Sequence, residues 1–173
     1  MLFATTLPVM LYSRPAGLPS PLSAVEWQEV DRGPGKFQLD DALEYRLRIK
    51  TIGDSDLSVL VKELAGLTPI STLDLSENRN ITDEGMKALS VLTHLRRLNL
   101  SSCSLTNPGM DWVAKLEHLE ELDLSYCNRL SDLALKPLRK LPRLQKLNLQ
   151  GCVKITNGGV AHLRRRGLEI HVK

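Results

Sequence analysis

Three cysteines are the first residues to weigh for chemistry. Cys103, Cys127 and Cys152 are spaced by 24 and 25 residues (103 to 127, 127 to 152). A metal centre usually shows a close pair of the Cys-x-x-Cys type, and this chain has none. The even spacing fits a small buried thiol that fills the same turn three times, with Asn78 doing that job by hydrogen bonding one step earlier. Three thiols leave one unpaired, and reduced thiols suit a cytoplasmic protein. Of the four histidines, His94 and His118 share a position with Arg143, which marks an exposed polar site rather than a ligand. His162 and His171 stand apart from them. Glu120 and Glu121 are neighbours along an extended segment and so point to opposite sides. No Ser/His/Asp set and no phosphate-cradling glycine loop is recognisable, since Gly158-Gly159 only continues a repeated Thr-Asp-x-Gly position. Neither metal nor cofactor is expected. The chain reads as a non-enzyme.

Surface chemistry is left to carry function, and it is organised in columns. Leu73-Asp74-Leu75, Leu98-Asn99-Leu100, Leu122-Asp123-Leu124 and Leu147-Asn148-Leu149 recur with steps of 25, 24 and 25 residues (73 to 98, 98 to 122, 122 to 147). A fixed period in the twenties means stacked units. Beside the leucines run two outward columns: Arg46, Thr72, Arg97, Glu121, Lys146, and Arg48, Asp74, Asn99, Asp123, Asn148. A third contains Lys50, Ser76, Ser101, Ser125 and Gln150, with Tyr126 one place further on. The cluster Arg97, Glu121, Asp123, Tyr126 and Lys146 is the favoured partner-binding site. It sets charge of both signs beside a tyrosine, and tyrosine and arginine are common hot-spot residues. Arg48, Asp74, Asn99 and Asn148 extend it. Glu84, Lys87, Asp111 and Lys115 charge the opposite side.

The elements that position these columns follow from the pattern. Leu-x-Leu is a short strand, because alternation by two buries both leucines and exposes the residue between them. Asp83, Asn107, Asp132 and Asn157 then stand before apolar runs at helical spacing, where an oxygen-bearing side chain caps a helix. Pro108 suits a first helical turn. Strand and helix alternate without reversal, so the strands are parallel. Stacking buries a leucine face that no unit can bury alone. A shortened unit around Leu47-Arg48-Ile49 precedes the four, and Leu168 to Val172 reads as a closing strand with an exposed edge guarded by Arg166, His171 and Lys173. Three segments result: a flexible, proline-rich stretch over 1–24, a hairpin-like cap over 25–41 turning at Gly33-Pro34-Gly35, and the repeat domain over 42–173.

The units resemble leucine-rich repeats, in the cysteine-containing subclass with the pattern Leu-x-x-Leu-x-Leu-x-x-Cys-x-x-Ile-Thr-Asp-x-Gly. Leu122 to Asn128 and Leu147 to Gly159 match nearly residue for residue, and the resemblance covers about Leu43 to Lys173. Asn78 departs from it where cysteine is usual, and Ala134 where glycine is usual. The resemblance implies an α/β solenoid of about five repeats plus end caps, with strands on a concave face and helices on a convex one.

Composition is compatible with that reading. With 23 basic and 20 acidic residues and a net charge of +3, the chain lacks the concentrated basic patch expected for nucleic acid. Arg164-Arg165-Arg166 reads as a solvated end face. No stretch approaches the roughly 20 apolar residues of a membrane span. Met1 to Tyr12 is apolar, but Pro8 interrupts it and the first positive side chain is Arg14, which disfavours a secretory signal. The expected function is a monomeric, non-enzymatic module that binds a protein or peptide through the concave face, with no nucleic acid and no membrane as partner. Two alternatives stand beside it. One is a substrate-recognition adaptor of ubiquitin-ligase or effector type, as this repeat subclass often accompanies F-box modules; residues 1–40 are short and proline-rich for an F-box. The other is an assembly factor that self-associates through a solenoid end.

Overall fold

The computed structural model describes residues 1–16 and 26–172. Strands β1 (Leu2–Thr5), β2 (Val9–Pro15), β3 (Gln28–Arg32), β4 (Gly35–Gln38) and β5 (Leu43–Ile49) come first, followed by helix α1 (Asp54–Leu64). Then strands and helices alternate: β6 (Ile70–Asp74), α2 (Asp83–Leu89), β7 (Arg97–Asn99), α3 (Gly109–Val113), β8 (Glu121–Asp123), α4 (Leu135–Leu138), β9 (Lys146–Asn148), α5 (Asn157–Leu163) and β10 (Glu169–His171). A 3-10 turn at Asp132–Ala134 leads into α4. β5 to β10 form a parallel sheet in sequence order, with β2 and then β3 added antiparallel beyond β5.

Register is strict. Leu73, Leu98 and Leu122 face one another and then Leu147 and Ile170, and every leucine of that column is essentially buried. Leu75, Leu100, Leu124 and Leu149 form a second fully buried column. Helix residues such as Leu57, Met86, Met110, Leu138 and Val160 close the core from the other side. The alternation read from the sequence is therefore the packing.

Polar side chains bind each repeat to the next. The oxygens of Asp54 accept the backbone N–H and the hydroxyl of Thr82 at 2.8 and 2.6 Å. Asp83 does the same for Thr106 and Asp132 for Thr156, while Asn107 accepts the Ser131 N–H through Oδ1 and donates through Nδ2 to the Ser131 hydroxyl oxygen. Asp83, Asn107 and Asp132, expected as caps of their own helices, are thus rungs to the following unit. The caps proper are Thr82 and Thr156, whose hydroxyls accept from Glu84 N and Gly159 N. The carboxylates of Asp54, Asp83 and Asp132 lie against the glycine of the next unit. A Cβ on Gly85, Gly109 or Gly159 would stand 2.5, 2.3 and 2.2 Å from an oxygen of Asp54, Asp83 and Asp132. Close approach, not flexibility, places glycine there.

The thiols close the turn after the strand. Cys103, Cys127 and Cys152 are buried and donate to the carbonyls of Leu75, Leu100 and Leu124 of the preceding unit at 3.3, 3.2 and 3.1 Å. Asn78 donates to the carbonyls of Ile49 and Leu75 and accepts from Ile52 N. Burial pushes the Cys103 and Cys127 thiols up to about 12 and raises that of Cys152.

The N-terminal end differs from the sequence expectation. Residues 1–16, expected to be flexible, form β1 and β2, because Phe3, Val9 and Leu11 supply the apolar cover that the first repeat needs. Gly33-Pro34 does turn the chain, but β3 and β4 do not form a hairpin. β3 pairs with β2 and β4 pairs with β1, so the turn carries the chain from one sheet to the other. Phe37 stacks on Phe3 with ring centroids 5.5 Å apart. The cap is therefore built from both ends of the first 39 residues, not from 25–41 alone. Beyond Ala16, the proline-rich stretch expected to be an extended linker lies outside the described residues.

Replacing Leu124 by alanine leaves a void between two neighbouring coils that are already in contact. Urea unfolding should show a loss of about 2–5 kcal/mol; a loss under 1 kcal/mol contradicts the inward packing.

Candidate interaction surface

The sheet has one face covered by helices and one left open. On the open face the columns read from the sequence stand in register: Arg46, Thr72, Arg97, Glu121, Lys146 and Glu169, and beside them Arg48, Asp74, Asn99, Asp123, Asn148 and His171. A groove of about 340 Å³ runs along this face. Trp27, Arg46, Glu121, Asp123, Lys146 and His171 are among the residues that line it.

The structure separates the expected binding residues into groups. Arg97 and Asp74 are 7% and 2% exposed, so they belong to a buried charge network rather than to a free surface. Arg97 lies against the Glu44 carboxylate at 3.3 Å and donates through Nε to Glu121 at 3.2 Å. Arg14 also pairs with Glu44, which accepts from Ser71 Oγ at 3.0 Å. Asp74 pairs with Arg46 and lies 3.6 Å from Arg48 Nε. Asp74, Asn99, Asp123 and Asn148 share a structural task. Each accepts, through one side-chain oxygen, the backbone N–H two residues on: Ser76 at 3.1 Å, Ser101 at 2.9 Å, Ser125 at 2.8 Å and Gln150 at 3.0 Å. Such local bonds fix the turn that ends each strand. Asn148 also donates to the second Asp123 oxygen.

Tyr126 is the exposed member, at 53%. It occupies a left-handed backbone position (φ 60°), as do Thr51, Glu77 and Ser102 at the equivalent turns and Gly151 at the next. A Cβ on Gly151 would meet the Tyr126 ring at 2.5 Å, so the ring lies over that glycine. Lys146 makes no ion pair among the described residues, although Glu121 is its neighbour in register. Trp27, Arg14 and Thr72 also bear on this face. Trp27 falls within the 25–41 segment expected to be a cap, and no repeat pattern locates it on this face. The Arg14 guanidinium stands 4.4 Å from its ring centroid.

With this geometry in view, the comparisons with known proteins can be read. A leucine rich repeat profile matches residues 93–153, and a second matches residues 66–90. These matches and the parallel strand–helix order give the fold of a leucine-rich-repeat solenoid. A chain of the crystal structure of the Rad7 and Elc1 complex in yeast superposes with a TM-score of 0.61 at 20% identity, over 73% of this chain and 32% of that one. This leucine-rich-repeat chain thus spans about a third of that neighbour's length, and the likeness is one of fold. No curated protein matches it. Leucine-rich repeats generally mediate protein–protein contacts, which agrees with an open strand face. No helix among the described residues is long and apolar enough to cross a membrane.

Asp74 offers a pH test of the charge network. Burial pushes its carboxyl up, but the hydrogen bonds from Arg46 and Ser76 outweigh this and leave it below the usual range. A folded-state value below the unfolded one stabilises above an ordinary pH of about 3.9, and that gain is lost as pH falls through the folded value. Acid unfolding below about pH 4 should therefore be steeper in the native protein than in Asp74→Asn; equal slopes contradict the network.

Proposed function

We propose that this chain is a non-enzymatic module that binds a protein or peptide partner through the open strand face, concave in this repeat class. The observation that carries the reading is the division of labour on that face. Its arginines, aspartates and asparagines, and Glu121 with Arg97, are fixed by partners within the sheet, which leaves Lys146 and Tyr126 presented over the strands. Rigid placement of side chains lowers the entropy cost of binding. The cysteine-containing subclass is supported by the thiol column, and three reduced buried thiols suit a cytoplasmic setting.

Affinity capture with Lys146→Glu/Tyr126→Ala, set beside the helix-face variant Glu84→Lys, tests the face. The partner captured by the native chain should fall at least tenfold with the first variant and stay unchanged with the second. The reverse pattern moves the site to the helices. Recovery of ubiquitin-ligase components in the same capture would favour the adaptor reading, for which the likeness to a chain from the Rad7–Elc1 complex is the motive.

Self-association is a second reading, motivated by β10. Glu169 N and His171 O bond to the β9 side, so the Ile170 N–H and C=O face away from the sheet as an open edge.

A further inference from the structure

Among the described residues, the basic half of the strand face carries a cluster of buried donors without a hydrogen bond. Arg14 Nη2, Arg48 Nε, Thr72 Oγ1 and Arg97 Nη2 are all shielded from water and make no hydrogen bond among the described residues, Arg48 Nε having only a longer 3.6 Å ion-pair contact with Asp74. They lie on β2, β5, β6 and β7, four strands that are neighbours in the sheet. Thr72 stands in register between Arg46 and Arg97. Buried polar groups nearly always find a partner, and an unmet guanidinium N–H is among the costlier to leave. All four groups can donate, and the three nitrogens can only donate. Elsewhere among the described residues Glu63 Oε2 and Glu120 Oε2 are orphaned acceptors, whereas the four groups gathered on these strands are all donors.

The carboxylates nearby are already shared. Glu44 serves Arg14, Ser71 and Arg97, while Asp74 serves Arg46, Arg48 and the Ser76 N–H. Thr72, Arg97 and Arg46 line the same groove as Trp27, whose ring lies on Arg14. Tyr12 adds a second ring, 5.7 Å from the Arg46 guanidinium. Trp27 and Arg46 are half-buried side chains at the groove.

We propose that this cradle is a subsite for an anionic side chain of the partner: an acidic peptide segment whose carboxylate, or phosphate, takes the donors of Thr72 and Arg97 between Trp27 and Tyr12. The proposal rests on the strand-face reading and names the chemistry that face selects. Planar guanidinium groups favour such forked anions, and the aromatic rings favour the aliphatic stem behind the charge.

The experiment uses the Trp112→Phe chain, in which Trp27 is the one remaining tryptophan. Its emission is titrated with a glutamate-rich peptide, the same peptide with glutamine for glutamate, a phosphoserine peptide and inorganic phosphate. The glutamate peptide should shift Trp27 emission saturably, and its glutamine counterpart should bind at least tenfold more weakly. Tighter binding of the phosphoserine peptide assigns phosphate as the source; a shift with inorganic phosphate alone reduces the site to a free-anion site and overturns the peptide proposal. Thr72→Val, which keeps the shape and removes a donor, should weaken the glutamate peptide about tenfold, as should Arg46→Gln. Lys136→Gln on the helix face should leave it unchanged. Equal binding of the glutamate and glutamine peptides, or indifference to both strand-face variants, overturns the subsite. If native capture is lost with the Lys146/Tyr126 variant yet unaffected by Thr72→Val and Arg46→Gln, the strand face stands and the anion cradle falls.

Discussion

Everything in this molecule depends on successive coils keeping one register. The leucine columns require it, since a strand slipped by one residue would turn its buried side chains to water. Hydrophobic contact alone is not directional, however, and polar bonds between repeats supply the direction. On one side of the core the rung residues Asp54, Asp83, Asn107 and Asp132 hold the first helical turn of the following unit. On the other, the thiols and Asn78 tie the turn after each strand to the unit before it. The core between them is fixed from both flanks.

That register is what makes the strand face usable. Because side chains one period apart lie side by side, charge pairs form across strands rather than along them. Arg97 lies between Glu44 and Glu121, and Arg46 and Arg48 converge on Asp74. Arginine and carboxylate are thereby held without large exposure. The half of the face nearest the cap holds a surplus of donors, and the other half carries Glu121, Asp123 and Lys146, the last without an ion pair among the described residues. The two halves present different chemistry to one partner.

How much of this was legible in the sequence depended on distance along the chain. The repeat period gave the parallel strands, the buried leucines, the thiol column and the facing order of the outward columns, because each is a local pattern repeated. The role of Asp83 and its counterparts was misassigned for the same reason. A cap and a rung look alike within one repeat, and only the neighbouring coil distinguishes them. Arg97 and Asp74 stand on the face the pattern gives, but their burial goes with ion pairs to Glu44 and Arg46, and no single repeat shows that pairing. Residues 1–16 carry no periodicity at all. Their strands form because an apolar repeat end and the edge of β5 are available to them. Trp27 reaches the groove by the same non-local route.

The central claim is that polar rungs, together with leucine packing, lock one coil to the next. A double-mutant cycle on Asp83→Ala and Thr106→Val measures this directly by urea unfolding. The rung predicts a coupling of about 1 kcal/mol or more between the two sites. Additive losses, with coupling near zero, would contradict the claim and leave the register to hydrophobic packing alone.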